Sequence, residues 1–269
     1  IGKFLGGLAA LSAPKLGAIA VREAVRRAGV ADTDIDEVIL GHVVQGGAGQ
    51  ATARQALIAA GLPGTVPALT INKVCGSGLK AVMLGAQAIK AGDAQVVVAG
   101  GMESMSNAPF YVFGLRNGVK FGNQQLIDGL IHDGLWCSFG NCHMGGHAEY
   151  TAQKAQVSRA DQDQFAYESH QKAVAAQDAG KFTAEIVPVE IADRKSTVTV
   201  SADESPRRDT SVESLAKLKA AFVKDGTVTA GNAPGLNDGA SALVVASLAY
   251  AQAHGLKPLA RIAAYATGG

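Results

Sequence analysis

Hydrophobic and polar positions along the first part of the chain predict helices and strands that alternate. Ser12 and Pro14 precede apolar residues at helical spacing and Gly29 follows them, so we predict a helix between these signals. Short, continuous apolar runs predict strands, and further helical patterns separate them. The predicted strands cover residues 37–44, 68–74 and 95–99, and the predicted helices cover residues 52–60 and 77–90.

The helix predicted from residue 77 has few polar positions: Ser77, Lys80, Gln87 and Lys90. A helix that is apolar almost all round is typical of one buried between two layers. The strand after it is almost wholly apolar, as in a parallel strand that is covered on both faces. Strands that alternate with helices in this way predict a layered α/β fold.

The pattern changes after residue 105. Residues 106–146 are rich in Gly and Asn and have weak periodicity, which predicts long loops with a functional role. Ser158 and Asp161 then match a capping box, so we predict that a helix begins there and runs to residue 179. The remaining patterns predict strands at 186–201, 227–230, 243–246 and 261–266 and a helix at 211–222. We expect the segment after residue 105 to be an insertion into the first domain.

Composition narrows the class of protein. Hydrophobic residues make up 48% and charged residues 17% of the chain, which excludes a disordered protein. The 24 basic and 23 acidic residues nearly cancel, which argues against a nucleic-acid or membrane surface as partner. No apolar run reaches the ~20 residues that a membrane span needs. Three cysteines favour a reducing compartment, which we expect to be the cytoplasm; the first residue is not Met, so a cleaved leader stays an alternative.

Cys75 carries the strongest chemical signal. It lies between a predicted strand and a predicted helix and is followed by Gly76, Ser77 and Gly78, which let the backbone turn sharply. The free N–H groups and the positive dipole end of such a helix favour a thiolate, which is the nucleophilic form. An inert buried cysteine is the alternative interpretation.

Two other kinds of site are weaker alternatives. Gly76, Gly78 and Ala81 match a dinucleotide-binding fingerprint, but no acidic residue ends the following strand, as that fingerprint requires. A metal site could be built from His132, Cys137, Cys142, His143 and His147, yet these residues lack the spacing of a zinc finger or ribbon. We therefore predict no metal.

Four blocks of sequence stand out in order along nearly the whole chain. They read NKVCGSGL at 72–79, GGMESMS at 100–106, HMG at 143–145 and GNAPGLNDGA at 231–240. In their order and spacing these blocks resemble the signature motifs of thiolases, the acetyl-CoA acetyltransferase family. That resemblance implies a layered α/β fold (αβαβα when complete) with an inserted α+β loop domain.

The resemblance also implies roles for particular residues. Cys75 would carry the acyl group of acyl-CoA as a thioester. The implied CoA-binding residues are His143 and Met144 at the pantetheine arm, Arg207 and Ser214 at the nucleotide end, and Phe222, Ala230 and Leu236 as apolar walls. Because CoA is substrate and product, no further cofactor is implied. The implied domains are an N-terminal domain at 1–105 and 237–258, a loop domain at 106–236 and the start of a C-terminal domain at 259–269.

The sequence also departs from the family pattern. Pro234 stands where the family commonly has Ser, which weakens any claim for a hydrogen bond to pantetheine there. The family's Gly-His-Pro and Asn-Glu-Ala-Phe motifs and its second cysteine before a Gly run have no match, and none of the six histidines precedes Pro. We therefore expect that most of the C-terminal domain is missing and that residues 1–269 alone do not turn over.

The resemblance implies an acyltransferase that reversibly condenses two acetyl-CoA into acetoacetyl-CoA and CoA, as a homodimer or homotetramer. Three alternatives stay open. They are a 3-ketoacyl-CoA thiolase of fatty-acid β-oxidation, a non-catalytic acyl-CoA-binding relative, and a fragment that acts only with a partner half.

Overall fold

A computed structural model describes residues 1–192 and 196–268 of the chain. The helices and strands follow in the order β1 (Gly2–Lys3), α1 (Ala13–Ala28), β2 (Glu37–Gly41), α2 (Thr52–Ala59), β3 (Ala68–Ile71), α3 (Ser77–Ala91), β4 (Val96–Ser104), β5 (Phe110–Tyr111), β6 (Ile127–Asp128), β7 (Trp136–Cys137), β8 (Cys142–His143), α4 (Met144–Lys154), α5 (Arg159–Asp178), β9 (Val189–Ala192), β10 (Thr197–Val200), α6 (Val212–Ala216), β11 (Asn237–Ala246) and α7 (Leu248–Ala253).

Contacts between residues divide the chain into two compact units. One unit contains residues 8–108 and 238–269 and is called the Cys75 unit below; the other contains residues 1–7 and 109–237 and is called the loop unit. The contact boundaries lie close to those of the predicted domains, but they place residues 1–7 with the loop unit and residues 259–269 with the Cys75 unit. The assignment of three thiolase domains stays a prediction.

A mixed sheet forms the centre of the Cys75 unit, with four strands in the order β11-β4-β2-β3. β2 pairs with β3 and β4 in parallel, while β11 runs antiparallel to β4 from Asp238 to Ala246. Helices connect the parallel strands, as a parallel sheet requires. The prediction of layered α/β structure is confirmed here.

Apolar side chains fill both faces of this sheet. Val96 and Val98 of β4 belong to a buried cluster that includes Val21, Ala56 and other residues of α1 and α2. Their neighbours along β4 belong instead to a second cluster that includes Ala81 of α3. Alternate residues of a strand point to opposite faces, so β4 is covered on both sides as its sequence predicted.

Signals at the ends of the helices match the sequence in three places. α1 begins after Ser12 and ends at Gly29, whose backbone is left-handed with φ 66°. Gly92 ends α3 in the same conformation. Ser158 and Asp161 form the predicted capping box at the start of α5. The predictions for α1 and α5 are confirmed, whereas Gly92 was not predicted as the end of α3.

Two predicted strands are shorter than expected. β2 ends at Gly41, because the N–H groups of Val43 and Val44 donate to the carboxylate of Glu103 and not to a strand. β3 ends at Ile71, three residues before Val74, whose φ of 49° is incompatible with a strand. The expectation that α3 is buried between two layers is not met within the described residues, since Leu79 is 65% exposed.

The loop unit departs further from the predicted elements. Residues 106–146 form mostly loops, as predicted, but they also contain the short strands β5 to β8. The helix predicted at 211–222 ends at Ala216, and the N–H of Ala221 donates to the carbonyl of Val228 in place of a helical hydrogen bond. The strand predicted at 227–230 is reduced to one bridge between Ala220 and Thr229.

The strands predicted at 186–201 and 261–266 have different outcomes. The strand predicted at 186–201 is a hairpin of β9 and β10 in the described residues, and residues 193–195 between them lie outside the description. No strand forms at 261–266 in the described chain, where every residue except Tyr265 is exposed. That prediction is wrong, because an apolar pattern alone does not supply a pairing partner.

Replacing Gly41 by Ala tests the packing of α3 on the sheet. A Cβ atom at Gly41 would lie 2.6 Å from Ser77 Cβ and 2.7 Å from the Ser77 carbonyl carbon, which leaves no room for it. We expect Gly41→Ala to lower the free energy of unfolding by about 1–3 kcal/mol, as overpacking does.

Gly64→Ala is the matched control for urea unfolding. A Cβ atom at Gly64 would have only ordinary contacts, the nearest being Arg54 Nη2 at 3.7 Å. We expect it to change the free energy of unfolding by no more than about 0.5–1 kcal/mol. Equal midpoints for the two variants would contradict the close packing at Gly41.

Candidate active site

Cys75 lies on a tight turn between β3 and α3, and it is exposed. Ser77 Oγ accepts the N–H of Lys73 at 2.7 Å and donates to the carbonyl of Val74 at 2.6 Å. The side-chain oxygen of Asn72 accepts the N–H of Val74 at 2.9 Å. The turn therefore keeps its shape through side chains that surround Cys75 in sequence.

Backbone strain marks the same turn. Val74 has φ 49°, which is unusual for a β-branched residue and costs of order 1–3 kcal/mol. Such strain persists where the neighbouring structure fixes the chain, and it is typical of functional sites. Here the fixing contacts are those of Asn72 and Ser77. The turn presents an unpaired, exposed thiol just before the first turn of α3.

Close contact between backbones positions this first turn. A Cβ atom at Gly101 would lie 3.2 Å from Gly78 Cα, and one at Gly78 would lie 3.6 Å from the Gly101 nitrogen. A Cβ atom at Gly41 would meet Ser77 and Gly78. Glycines at these positions let the start of α3 lie directly on β2 and β4.

The buried side chain of His42 and the partly exposed carboxylate of Glu103 support the loop that follows β2. Glu103 accepts the backbone N–H groups of Val43 and Val44 at 3.0 and 3.3 Å, and its Oε1 lies 3.2 Å from His42 Nε2. The other ring nitrogen of His42 lies 3.0 Å from Thr52 Oγ1. Neither His42 nor Glu103 was predicted from the sequence to have a role. Glu103 could have been found from its charge, because it lies within the otherwise uncharged strand β4 and the GGMESMS block.

The loop unit brings two of the predicted CoA-binding residues together. The ring of His143 stacks on Phe222 with centroids 4.8 Å apart and planes 19° apart. His143 Nδ1 accepts the N–H of Gly145 at 3.0 Å and so caps α4. Because Nδ1 is an acceptor here, the neutral ring carries its proton on Nε2 and can donate from that side. Met144, the next residue, is 39% exposed.

Gly145 permits the contact between His143 and Phe222. A Cβ atom at this position would lie 2.1 Å from Phe222 Cγ, which is inside the ring itself. The glycine of the HMG block therefore has a packing reason in this structure. It lets an aromatic side chain cover the first turn of α4.

Glu149 fixes the chain that runs behind Phe222. Its carboxylate accepts the N–H groups of Thr227 and Val228 at 2.8–2.9 Å and the hydroxyl of Thr227 at 2.9 Å. Burial by itself raises the pKa of Glu149, but these hydrogen bonds outweigh burial and place the pKa below its ordinary value of 4.5. The charged form of Glu149 therefore stabilises the folded chain.

Arg207 and Ser214 line a separate cavity of about 230 Å³ in the loop unit. His170 also lines it, and its Nδ1 accepts the backbone N–H of Arg207 at 3.2 Å. Burial and the nearby charge of Arg207 lower the pKa of His170, so this ring is neutral at pH 7. The hydroxyl of Ser214 takes part in the capping box of α6, where it contacts the backbone of Ser211.

The remaining predicted wall residues lie apart from one another. Ala230 is exposed and adjoins Gly231, which lines the same cavity as Arg207. Leu236 is half-buried, and its carbonyl accepts the N–H of Phe4 at 2.9 Å. The structure thus places His143 with Phe222, and Arg207 with Ser214, at two different positions of the loop unit.

Two histidines of the metal alternative, His132 and His143, have partners outside that group. His132 binds Asp133 at 2.7 Å, His143 stacks on Phe222, and His147 bonds to Cys137. Within residues 1–192 and 196–268, no group of three His, Cys, Asp or Glu side chains is arranged to hold a metal ion. Over the same residues, no helix is both long and apolar enough to cross a membrane.

Residues 1–249 match the family described as "Thiolase, N-terminal domain". The chain therefore belongs to the thiolase family, as its four sequence blocks predicted.

Individual relatives agree with this assignment. The whole chain is 53% identical to the acetyl-CoA acetyltransferase of Pseudomonas aeruginosa and 54% identical to that of Cupriavidus necator, and it spans 69% of the length of each. The crystal structure of the Bacillus anthracis acetyl-CoA acetyltransferase superimposes with a TM-score of 0.93 at 42% identity, over 96% of this chain and 65% of that one. The thiolase-like α/β fold is confirmed.

Replacing Glu149 by Gln tests the electrostatic role of this carboxylate. The pKa of Glu149 is lower in the folded chain than in the unfolded one, so its contribution is complete above about pH 4.5 and is lost as the pH falls through the folded pKa. We expect Glu149→Gln to lower the free energy of unfolding by about 1–3 kcal/mol at pH 7.

The difference from the wild type should shrink as urea unfolding is repeated below pH 4.5. Glu168→Gln is the control, because Glu168 is exposed on α5 and its ion pair with Lys172 spans 3.5 Å. We expect this control to change stability by less than about 0.5 kcal/mol. A pH-independent loss in Glu149→Gln would contradict the role of its charge.

Proposed function

We propose that the protein is an acetyl-CoA acetyltransferase that condenses two acetyl-CoA into acetoacetyl-CoA and CoA, reversibly, with Cys75 as the covalent nucleophile. The observation that carries this proposal is the exposed Cys75 thiol on a strained turn at the start of α3. The names of the relatives from Pseudomonas aeruginosa and Cupriavidus necator support the choice of substrate.

In the first half-reaction, the Cys75 sulfur attacks the carbonyl carbon of acetyl-CoA. The bond between that carbon and the CoA sulfur breaks, CoA leaves as a thiol after taking a proton, and the acetyl group stays on Cys75 as a thioester. The exposed position of Cys75 directly before the first turn of α3 supports this step, because the carbonyl carbon of acetyl-CoA can reach the sulfur there.

In the second half-reaction, a base removes a proton from the α-carbon of another acetyl-CoA. The resulting carbanion attacks the thioester carbonyl and releases the Cys75 thiolate. Residues 1–269 contain neither a histidine that precedes proline, which in the family activates the nucleophile, nor a second cysteine before a Gly run. We therefore expect these residues by themselves not to complete the condensation.

The loop unit would bind CoA through the residues that match the family. His143 and Met144 would contact the pantetheine arm beside the ring of Phe222, and the Nε2 proton of His143 is free to donate in the neutral tautomer inferred above. Arg207 and Ser214 would contact the nucleotide end at their shared cavity. Ala230 and Leu236 would supply apolar walls. CoA is substrate and product, and no other cofactor is proposed.

The proposal extends to assembly and location. We propose a homodimer or homotetramer in the cytoplasm, with acyl-CoA as the small-molecule partner and with neither nucleic acid nor membrane. The nearly balanced charge, formally +1, supports the absence of the last two partners.

Acetylation of Cys75 is the direct test. After incubation with acetyl-CoA, trypsin releases Cys75 on peptide 74–80 and both other cysteines on peptide 121–154, which serves as an internal control. We expect an acetyl group on peptide 74–80 alone, and we expect Cys75→Ser to abolish the thioester. Equal labelling of both peptides, or none, would contradict the proposed nucleophile.

Arg207→Gln tests the proposed nucleotide end of the CoA site. Removal of a cation that contacts a phosphate should weaken CoA binding about tenfold, measured by titration calorimetry. Arg208→Gln is the matched control, because the Arg208 guanidinium is held by both carboxylate oxygens of Asp178 at 2.6–2.9 Å. We expect binding within about twofold of wild type for the control. Equal losses would contradict a specific role of Arg207.

A further inference from the structure

Cys137 and Cys142 lie directly opposite each other in the small hairpin of β7 and β8. The antiparallel register pairs Cys137 with Cys142 and Trp136 with His143. Directly opposed residues of an antiparallel pair have their side chains on the same face and their Cα atoms ~4.5 or ~5.5 Å apart. Both spacings lie inside the range that a disulfide spans. A bond between these cysteines would therefore keep the register of the hairpin.

The two sulfurs share one environment around Gly140. Cys137 Sγ accepts the N–H of Gly140 at 3.2 Å. A Cβ atom at Gly140 would lie 3.4 Å from Cys142 Sγ and 3.2 Å from His147 Nε2. Both sulfurs and one imidazole therefore surround a residue that has no side chain to separate them.

The environment also favours the reactive form of Cys137. The N–H of Gly140, the ring of His147 and the N–H of Phe139 together lower the pKa of the Cys137 thiol below its ordinary value. Both cysteines are free and half-exposed, so a small oxidant can reach them. Low pKa and access are the properties that make a thiol an oxidation site, especially with a second cysteine beside it.

We propose that Cys137 and Cys142 form a reversible intramolecular disulfide on reaction with a hydroperoxide, with Cys137 as the attacking and Cys142 as the resolving residue. The Cys137 thiolate attacks one peroxide oxygen, the O–O bond breaks, and the other oxygen leaves as water or an alcohol after taking a proton. Cys137 is then a sulfenic acid. The Cys142 sulfur attacks the Cys137 sulfur, the S–O bond breaks and water leaves. The two sulfurs supply the two electrons that reduce the peroxide.

This site is separate from the proposed nucleophile, because neither cysteine has a role in the acyl transfer. The bond would nevertheless bear on the loop unit. β8 ends at His143 and α4 begins at Met144, so the disulfide would fix the hairpin that leads into both residues.

Peptide mapping of the peroxide-treated, initially reduced protein tests the proposal. Trypsin leaves Cys137 and Cys142 together on peptide 121–154 and Cys75 on peptide 74–80. After treatment with hydrogen peroxide and alkylation, we expect peptide 121–154 to be lighter by two hydrogen atoms and to carry no alkyl group, and a thiol reductant should reverse this change. Alkylation of both cysteines while Cys75 is already oxidised, or a bond to Cys75 or to a second chain, would overturn the proposal.

Three variants assign the two roles. Cys142→Ser should remove the lighter peptide and leave a sulfenic acid on Cys137 that dimedone traps. His147→Gln should slow disulfide formation roughly threefold to tenfold, because it removes the hydrogen bond that favours the thiolate. His132→Gln is the control from the same loop, where the ring binds Asp133, and its rate should equal that of wild type. Equal rates in the two histidine variants would overturn the role of Cys137 as the attacking residue.

Discussion

The direct contact between the first turn of α3 and the strands β2 and β4 is the constraint on which the Cys75 unit depends. Side chains normally hold a helix well away from a sheet, but Gly41, Gly78 and Gly101 remove them at this point. The chain enters α3 with no freedom to shift, so Val74 is kept at a strained φ and Cys75 is kept exposed. The position of the thiol thus follows from close backbone packing beneath it.

The loop unit is organised in a different way. Both large clusters of buried apolar side chains in the described chain lie in the Cys75 unit. In the loop unit, Asp163 is 1% exposed and accepts hydrogen bonds from Arg159 and Asn232 at 2.7 and 2.9 Å. Glu149 plays a similar part for Thr227 and Val228. In the loop unit, hydrogen bonds from buried or partly buried carboxylates therefore connect helices to loops more than contacts between apolar side chains do.

These two kinds of organisation suit two kinds of chemistry. A covalent nucleophile needs one fixed position, which rigid strands and a helix supply. A long, partly polar ligand such as CoA needs contacts spread over a wide surface, and loops provide those. The stacked pair of His143 and Phe222 and the cavity at Arg207 are the two places in the loop unit where we propose that CoA binds. The cysteines of the neighbouring hairpin add a reactive site that the acyl transfer does not need.

The sequence by itself determined two kinds of element: helices that are fixed by residues at their own ends, and strands that are buried on both faces. Helix signals at Ser12, Gly29 and Ser158 and the apolar run of β4 gave elements in the right places, because caps and continuous burial act through near neighbours. The cysteine between a strand and a glycine-rich helix start was equally visible in the sequence.

Only the tertiary structure decided where polar groups replace regular pairing. β2 ends early because the carboxylate of Glu103, distant in sequence, accepts the N–H groups of Val43 and Val44. Residues 227–230 form a single bridge and no strand, because the carboxylate of Glu149 accepts the N–H groups of Thr227 and Val228. Cys137 and Cys142 likewise lie opposite each other only because of the strand register. That register cannot be read from the four residues between them. The end of β2, the missing strand at 227–230 and the cysteine pair all depend on contacts between residues brought together by folding. A pattern of hydrophobic positions does not specify such partners.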